Sequence, residues 1–600
     1  MSSHYEAPIR EPLVLGEKSY ADISADVAAP VLGKANKSWW IVFTIALIAF
    51  LWGLGCIIYT VSTGIGVWGL NKTIGWAWDI TNFVWWVGIG HAGTLISAVL
   101  LLFRQKWRMA VNRSAEAMTI FAVVQAGLFP IIHMGRPWLA YWVLPIPNQF
   151  GSLWVNFNSP LLWDVFAIST YLSISLVFWW TGLLPDFAMI RDKTESPFQK
   201  KIYGILSFGW SGRAKDWQRF EEVSLVLAGL ATPLVLSVHT IVSFDFATSV
   251  VPGWHSTIYP PYFVAGAIFS GFAMVQTLLI IMRKVSHLES YITVLHIEYM
   301  NKVILLTGGI VTVAYGIEYF IGWYSGVPYE NYTYLSFGAA TGPYWWAFWA
   351  LITCNFIVPL TLWVKKLRRN IMWTFLVALI INIGMWFERF DIIVVNMSKD
   401  RLTSSWTLFQ PTFVDIGTFM GTIGFFFVLF LLYARTFPVI AQAEVKTILK
   451  TSGAGFKKLR ADHGDNVSHV QHVEEYPAEA GPAANVEGKH FDSPFVNPTD
   501  EDLENSNVDF GQHQQKIDTL IATVGTFDPA LQKQDNLKKI NGVGPLMEQK
   551  LHQLGIFTFE QVSRMTDREY DLLDDIISEF PGRAKRDDWA GQALLLKNKK

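Results

Sequence analysis

The chain of 600 residues is 52% hydrophobic and 16% charged and carries 27 Trp and 42 Phe, which excludes an ordinary water-soluble protein. Its formal charge of −2 excludes a nucleic-acid footprint spread over the whole chain, though not local patches. The two cysteines, Cys56 and Cys354, lie inside apolar stretches and exclude both a disulfide framework and an iron–sulfur cluster held by this chain alone.

Residues 1–37 are polar and mixed in charge, with no basic segment leading into a short apolar core and cleavage site. The first apolar run, Trp39–Thr60, therefore reads as a retained span and not as a signal peptide. Apolar stretches of about 20 residues, the length that crosses a bilayer, recur near 78–103, 114–134, 160–184, 220–242, 262–282, 299–322, 343–364, 371–394 and 413–434. The fold class is an all-α integral membrane protein with ten transmembrane helices. The junctions 104–113, 185–219, 283–287 and 365–370 hold seventeen Lys and Arg, whereas the opposite junctions hold only Lys72, Arg136, Lys399 and Arg401. The positive-inside rule makes the first set cytoplasmic and both termini with it. Trp39, Trp40, Trp138, Trp163, Trp345 and Trp346, at helix ends, suit an interfacial aromatic belt.

A repeat is visible in "FVWWVGIGHAGTLISAVLLLFRQ" (83–105) and "FVAGAIFSGFAMVQTLLIIMRK" (263–284), which open alike, pass through small residues and end near a cytoplasmic Arg. Each precedes a helix with an early acid, Glu116 or Glu298. Helices 2–5 and 6–9 are therefore expected to form two related four-helix bundles, with helices 1 and 10 outside.

Residues 450–535 are rich in Gly, Ala, Pro, Asn, Asp, Glu and His with little periodicity. The expected plan is an N-terminal segment at 1–37, a membrane domain at 38–435, a flexible cytoplasmic linker at 436–535 and a small helical domain at 536–600. In that last domain "NLKKINGVGPLMEQKLHQLGIFTFEQV" (536–562) has a helix–GVGP–helix pattern. Its stretch from Gly542 to Gly544 resembles a helix-hairpin-helix motif, whose glycines let backbone N–H groups approach a phosphate. A single copy favours an interaction module over nucleic-acid binding.

"FPIIHMGRPW" (129–138) places His133 and Arg136 at the periplasmic end of helix 3. Helix 4 brings Asp164 to about the same level, and helix 5 delivers Asp245 there with His239 deeper. Ionisable residues in spans cost about 3 kcal/mol or more, so such a convergence marks function. Plainer readings exist: His133 as a cap at the headgroups, Arg136 snorkelling to a lipid phosphate, and Asp164 as a first-turn acid favoured by the helix dipole.

An imidazole, carboxylates and an aromatic-rich pocket open to lipid suit a quinol. Its phenolic protons, with a pKa near 10, need a base within hydrogen-bond reach. The electrons must leave to a partner. Haem ligation by His91, His133 and His239 is the internal competitor. Depth argues against it: His91 lies thirteen residues inside helix 2, leaving His133 with His239 as the better-matched pair. A second polar set, Asp79, His91 and Glu116 in the first bundle with Glu318, Glu388, Arg389 and Asp391 in the second, suits either proton half-channels or paired charges that fix helix packing.

The run "WWVGIGHAGTLISAVLLLFRQKWRMAVNRSAEAMTIFAVVQAGLFPIIHMGRP" (85–137) resembles the NrfD/PsrC family of quinone-interacting membrane subunits, and within it the ActC type of bacterial alternative complex III. The resemblance covers about 38–435 and leaves the tail uncovered. It implies a bacterial inner-membrane subunit that binds menaquinol near the periplasmic surface, without haem or iron–sulfur cluster of its own. The implied partners are membrane lipid, a periplasmic iron–sulfur subunit, multihaem cytochromes c, a homologous NrfD-like subunit and a haem–copper oxidase; nucleic acid is not expected. It implicates His133, Asp164 and Asp245 in the quinol site, and implies proton translocation for the complex. The rivals are the sister ActF-type subunit, the anchor of a polysulfide-reductase-like molybdoenzyme and, outside redox chemistry, a secondary transporter.

Overall fold

The computed structural model describes residues 12–16, 18–146, 155–337, 342–399, 402–449, 510–528, 533–540, 543–576 and 583–598. Among these every regular element is helical. The chain divides into two units, one spanning Ile9–His469 and one built from Val470–Lys600.

Ten helices of the first unit are long and apolar enough to cross a membrane: α1 Lys37–Thr63, α2 Trp78–Leu102, α3 Asn112–His133, α4 Pro160–Lys193, α5 Ala214–Ala247, α6 Tyr259–Val285, α7 Val294–Tyr324, α8 Trp345–Trp363, α9 Ile371–Val395 and α10 Phe413–Thr436. This is a multi-pass membrane protein, with the number of spans that the apolar stretches imply. Local chemistry sets several ends. The Asn36 side chain accepts the Trp39 N–H at the start of α1, 2.8 Å away, and Thr412 with Asp415 forms a reciprocal capping box at α10. Pro160 at the first turn of α4 has no N–H to leave unsatisfied.

α4 and α5 overrun their apolar stretches, 160–184 and 220–242, by about two turns or more at the basic end. Hydropathy stops at the first charges, but the backbone ladder continues through them. Each helix has 34 residues, about 50 Å of helix against about 30 Å of hydrocarbon.

Two four-helix bundles make the core. Helices α2, α3, α4 and α5 pack in a ring, α6, α7, α8 and α9 form a second, and α2 meets α6 between them. α2 and α6 are also the most buried spans. A Cβ built on Gly88 approaches the Ala267 backbone, and one on Gly271 would overlap Ala92. These contacts follow the offset of the two repeated stretches to within one residue, so equivalent helices lie side by side and parallel, as in repeats related by an axis along the membrane normal.

α1 and α10 pack against each other outside the bundles. Their interface is built on glycine: a Cβ on Gly421 would lie 2.4 Å from Gly53 Cα, and one on Gly53 would lie 2.3 Å from Gly421 Cα. Gly417 and Gly421 form a GxxxG spacing that lets the backbones touch. Gly421→Leu is expected to drive the pair apart and lower the thermal unfolding temperature of the purified protein, whereas Gly55→Leu, whose Cβ meets open space, should leave it within about 1 °C of wild type.

Beyond α10 the chain turns back onto the basic end. Val439, Ile440, Ala441 and Val445 are buried and the short helix Gln442–Thr447 follows. The expected linker 436–535 therefore holds ordered helix at its start, and again at Phe510–Val524; 450–509 lies outside the described residues. Among the described residues of the C-terminal unit, Phe510–Val524 comes first, as α11. It is followed by α12 Pro545–Gln553, α13 Phe559–Ser563, α14 Asp567–Ile576, α15 Arg583–Arg586 and α16 Trp589–Asn598. Leu520, Leu551, Ile556, Val562 and Trp589 fill its core. Gly542 of the expected hairpin motif lies outside the described residues, and Gly544 caps α12.

Candidate functional site

α2 begins and α3 ends at one face of the first bundle, which places Asp79 and His133 side by side. His133 Nδ1 and Asp79 Oδ2 form a short hydrogen bond. Asp79 is held from behind, its other oxygen accepting the Ala77 N–H at 3.0 Å. With Nδ1–H donated to a carboxylate, Nε2 carries the ring's lone pair. The His133 side chain is a quarter exposed while that of Asp79 is 5% exposed, so the imidazole is the member of the pair that an incoming molecule meets. Trp68 lies beside the ring, centroids 6.2 Å apart. Pro130, one turn before His133, cannot donate to the helix ladder.

At the same end α4 and α5 bring Asp164 and Asp245 together, carboxyl facing carboxyl. Asp164 is buried and Asp245 partly so. Trp163 and Phe244 pack edge to face beside them. Arg136 is exposed, just after α3.

His239 does not sit with His133. It lies against His91, ring centroids 4.6 Å apart, deep between α5 and α2. Counting residues from helix ends misplaces this pair because the ends do not lie at one level. His91 Nδ1 is 2.6 Å from the Val87 carbonyl and its ring stacks on Tyr171 at 5.3 Å. The Tyr171 hydroxyl donates to the Gly90 carbonyl. His91 Nε2 and both ring nitrogens of His239 are buried without a hydrogen-bond partner among the described residues.

Asp79 is thus a partner of His133, apart from the other residues of the second polar set. Topology carries the signal: the first turn of α2 and the last turn of α3 share one end of a hairpin. Glu116 lies at the opposite end, bonded to Arg113 at 3.0 Å. In the second bundle Glu388 and Arg389 form a buried ion pair at 2.6 Å. The Tyr315 hydroxyl donates a short hydrogen bond to Glu388, and Asn355 donates to the Tyr315 oxygen at 2.9 Å. Arg389 lies over the Phe263 ring, which also touches His239. Glu318 accepts from Ser256 and Tyr334 at 2.6 and 2.8 Å. Asp391 opens a π-helical turn, Asp391–Val395, of a kind frequent at functional sites. Just beyond it, burial pulls the Lys399 ammonium down to about 7. Among the described residues no three His, Cys, Asp or Glu side chains converge to hold a metal ion.

The model of the family described as polysulphide reductase, NrfD, matches residues 66–397, and that of the RS2/RL21/YNQ2 HHH domain matches 537–597. The chain is 25% identical over 258 residues to a protein of Halobacterium salinarum named as a dimethyl sulfoxide reductase membrane subunit, covering 42% of this chain and 54% of that one. It therefore spans about half the length of that relative. It is 20% identical over 430 residues to the Hdr-like menaquinol oxidoreductase integral membrane subunit of Archaeoglobus fulgidus, covering 68% of this chain and 95% of the relative. The tail is 44% identical over 61 residues to large ribosomal subunit protein bL21 of a Jannaschia species, covering 10% of this chain and 23% of that protein.

Proposed function

This chain belongs to the NrfD polysulphide reductase family, and on that premise we propose that it oxidises menaquinol as the membrane subunit of a respiratory quinol:cytochrome c oxidoreductase of the alternative complex III type. The observation that carries the reading is the Asp79–His133 pair: a partly exposed base, oriented from behind by a buried carboxylate, at one end of an apolar bundle. The similarity to a menaquinol oxidoreductase subunit supports the choice of substrate.

Oxidation of one quinol to quinone releases two protons and two electrons. His133 Nε2 accepts one phenolic proton, and the Asp79 carboxylate stabilises the imidazolium that forms. The facing carboxyls of Asp164 and Asp245 receive the second, and Arg136 holds a quinone oxygen or a partner's surface. Both electrons pass to an iron–sulfur centre of a periplasmic partner subunit and on to multihaem cytochromes c, with a homologous NrfD-like subunit and a haem–copper oxidase completing the assembly. The site lies at the periplasmic face of the inner membrane, and the cation-rich ends and both termini are cytoplasmic. His91, Glu116, Glu318, Glu388 and Arg389 supply the polar positions of a proton route through the bundles.

The similarity to a dimethyl sulfoxide reductase membrane subunit favours a second reading, in which the same pocket serves a molybdenum-containing partner. Purification of the complex from its native membrane separates the two. The proposal expects c-type haem in the complex and reduction of cytochrome c by a menaquinol analogue, lowered about 10²-fold or more by Asp164→Asn. A complex with a molybdenum cofactor and no c-type haem would replace it with the second reading.

A further inference from the structure

We propose that the connector between α4 and α5 is a membrane anchor, which inserts Phe208 at the hydrocarbon edge of the leaflet at the basic end and holds anionic phospholipid headgroups on Lys200 and Lys201. This rests on the membrane-spanning fold and not on the redox reading.

α4 runs on to Lys193, and the helix Pro197–Leu206 then doubles back along it. Tyr203 packs on Phe187, centroids 6.1 Å apart, and its hydroxyl donates to the Thr436 carbonyl at 2.7 Å. Arg191 reaches across to Ser207 Oγ and the Trp210 carbonyl, at 3.3 and 3.2 Å. The turn ends with Phe208 edge-on to Trp180, centroids 5.5 Å apart. Trp180 lies about 20 Å back along α4 from Lys193, close to where about 20 residues of helix, counted from Pro160, have crossed the hydrocarbon. The tip therefore dips toward the bilayer, and Trp210, packed on Trp217 at 4.9 Å, leads the chain back out into α5.

Exposure and strain say what the tip is for. At the inner end, Ile205 and Phe208 are 68% and 77% exposed. Phe208 holds φ at 47°, a left-handed conformation that costs an aromatic residue energy. In water an exposed apolar side chain gains nothing from that conformation; in lipid it gains burial. Charge then names the lipid. Lys200 and Lys201 are exposed about two turns out from Phe208, at headgroup level, and neither has a carboxylate within ion-pair distance among the described residues. Arg213, by contrast, is paired with Asp216. An amphipathic segment with apolar side chains inward and lysines at the headgroups is the form of an interfacial anchor.

The test places benzoyl-phenylalanine at Phe208 of the full chain in its native membrane, with Ser211, exposed beyond the tip, as control. Ultraviolet light should yield phospholipid adducts at position 208 and none at 211. Adducts to another polypeptide, or none above the control, would overturn the anchor. Headgroup selectivity is read separately by native mass spectrometry of the purified chain exchanged into phosphatidylcholine with phosphatidylglycerol. Lys200→Glu with Lys201→Glu should lower the retained phosphatidylglycerol by about fivefold for each lysine lost. Unchanged retention would overturn the lysine assignment.

Discussion

His133→Ala in the assembled complex is expected to lower quinol oxidation about 10²- to 10⁴-fold, the range a positioned general base supplies, while haem content and the set of assembled subunits stay at wild-type levels. Asp79→Asn should approach the same loss by a different route. The asparagine amide keeps the oxygen that accepts the Ala77 N–H, so the first turn of α2 stays in place. Its NH₂ group, turned toward the ring, donates to Nδ1 and forces the proton onto Nε2. The base then presents a donor where the quinol needs an acceptor. Steady-state turnover with a menaquinol analogue and a cytochrome c acceptor checks both. An Asp79→Asn complex that retains most of its turnover would show that the carboxylate does not orient the base, and full activity in His133→Ala would remove the quinol from this end of the bundle.

The contrast between Asp79 and His239 shows what the sequence can reveal. Spans and their grouping are written in one dimension, as apolar runs of bilayer length, asymmetric cations and two stretches repeated at a fixed offset, and a reading of these recovers ten helices and two bundles. Convergence at one end of the bundle is also legible for His133, Asp164 and Asp245, which alternating helices bring to one level, whereas Asp79 reads from the sequence only as one of a scattered polar set and takes its place beside His133 in the structure. Pairing within that end is not. Which carboxylate meets which imidazole depends on helix rotation, tilt and unequal ends, and these are set by contacts such as Gly88 on Ala267 and Gly271 on Ala92. Hence depth alone matches His239 with His133, whereas α5 turns it onto His91. The helical overruns of α4 and α5 and the docking of 437–449 are equally hidden, since charged residues end a hydropathy signal without ending a helix.

The second large effect is expected at the other end of the first bundle. Arg113 is almost wholly buried, as are the two acids it holds. Its guanidinium donates to Glu116 at 3.0 Å and Asp186 at 3.3 Å, and makes a short bond to the Gly182 carbonyl. Arg108 and Glu444 extend the group, 2.8 Å apart, so the segment beyond α10 is tied to it. Arg113→Met strands two buried carboxyls and should cost about 3–5 kcal/mol, enough to prevent accumulation of folded protein. The network itself need not stabilise: buried ion groups replaced as a set by apolar residues often break even. Arg113→Met combined with Glu116→Leu and Asp186→Leu should therefore recover most of the loss, as read by yield and by thermal unfolding in detergent. Gly182→Ala would push its methyl carbon to 2.2 Å from the Arg113 Nη1 atom and should destabilise in the wild-type background but much less in the triple variant, where the clash is gone. A triple variant no more stable than Arg113→Met alone would mean that the cluster fixes helix packing through its hydrogen bonds, and not merely that it avoids uncompensated charge.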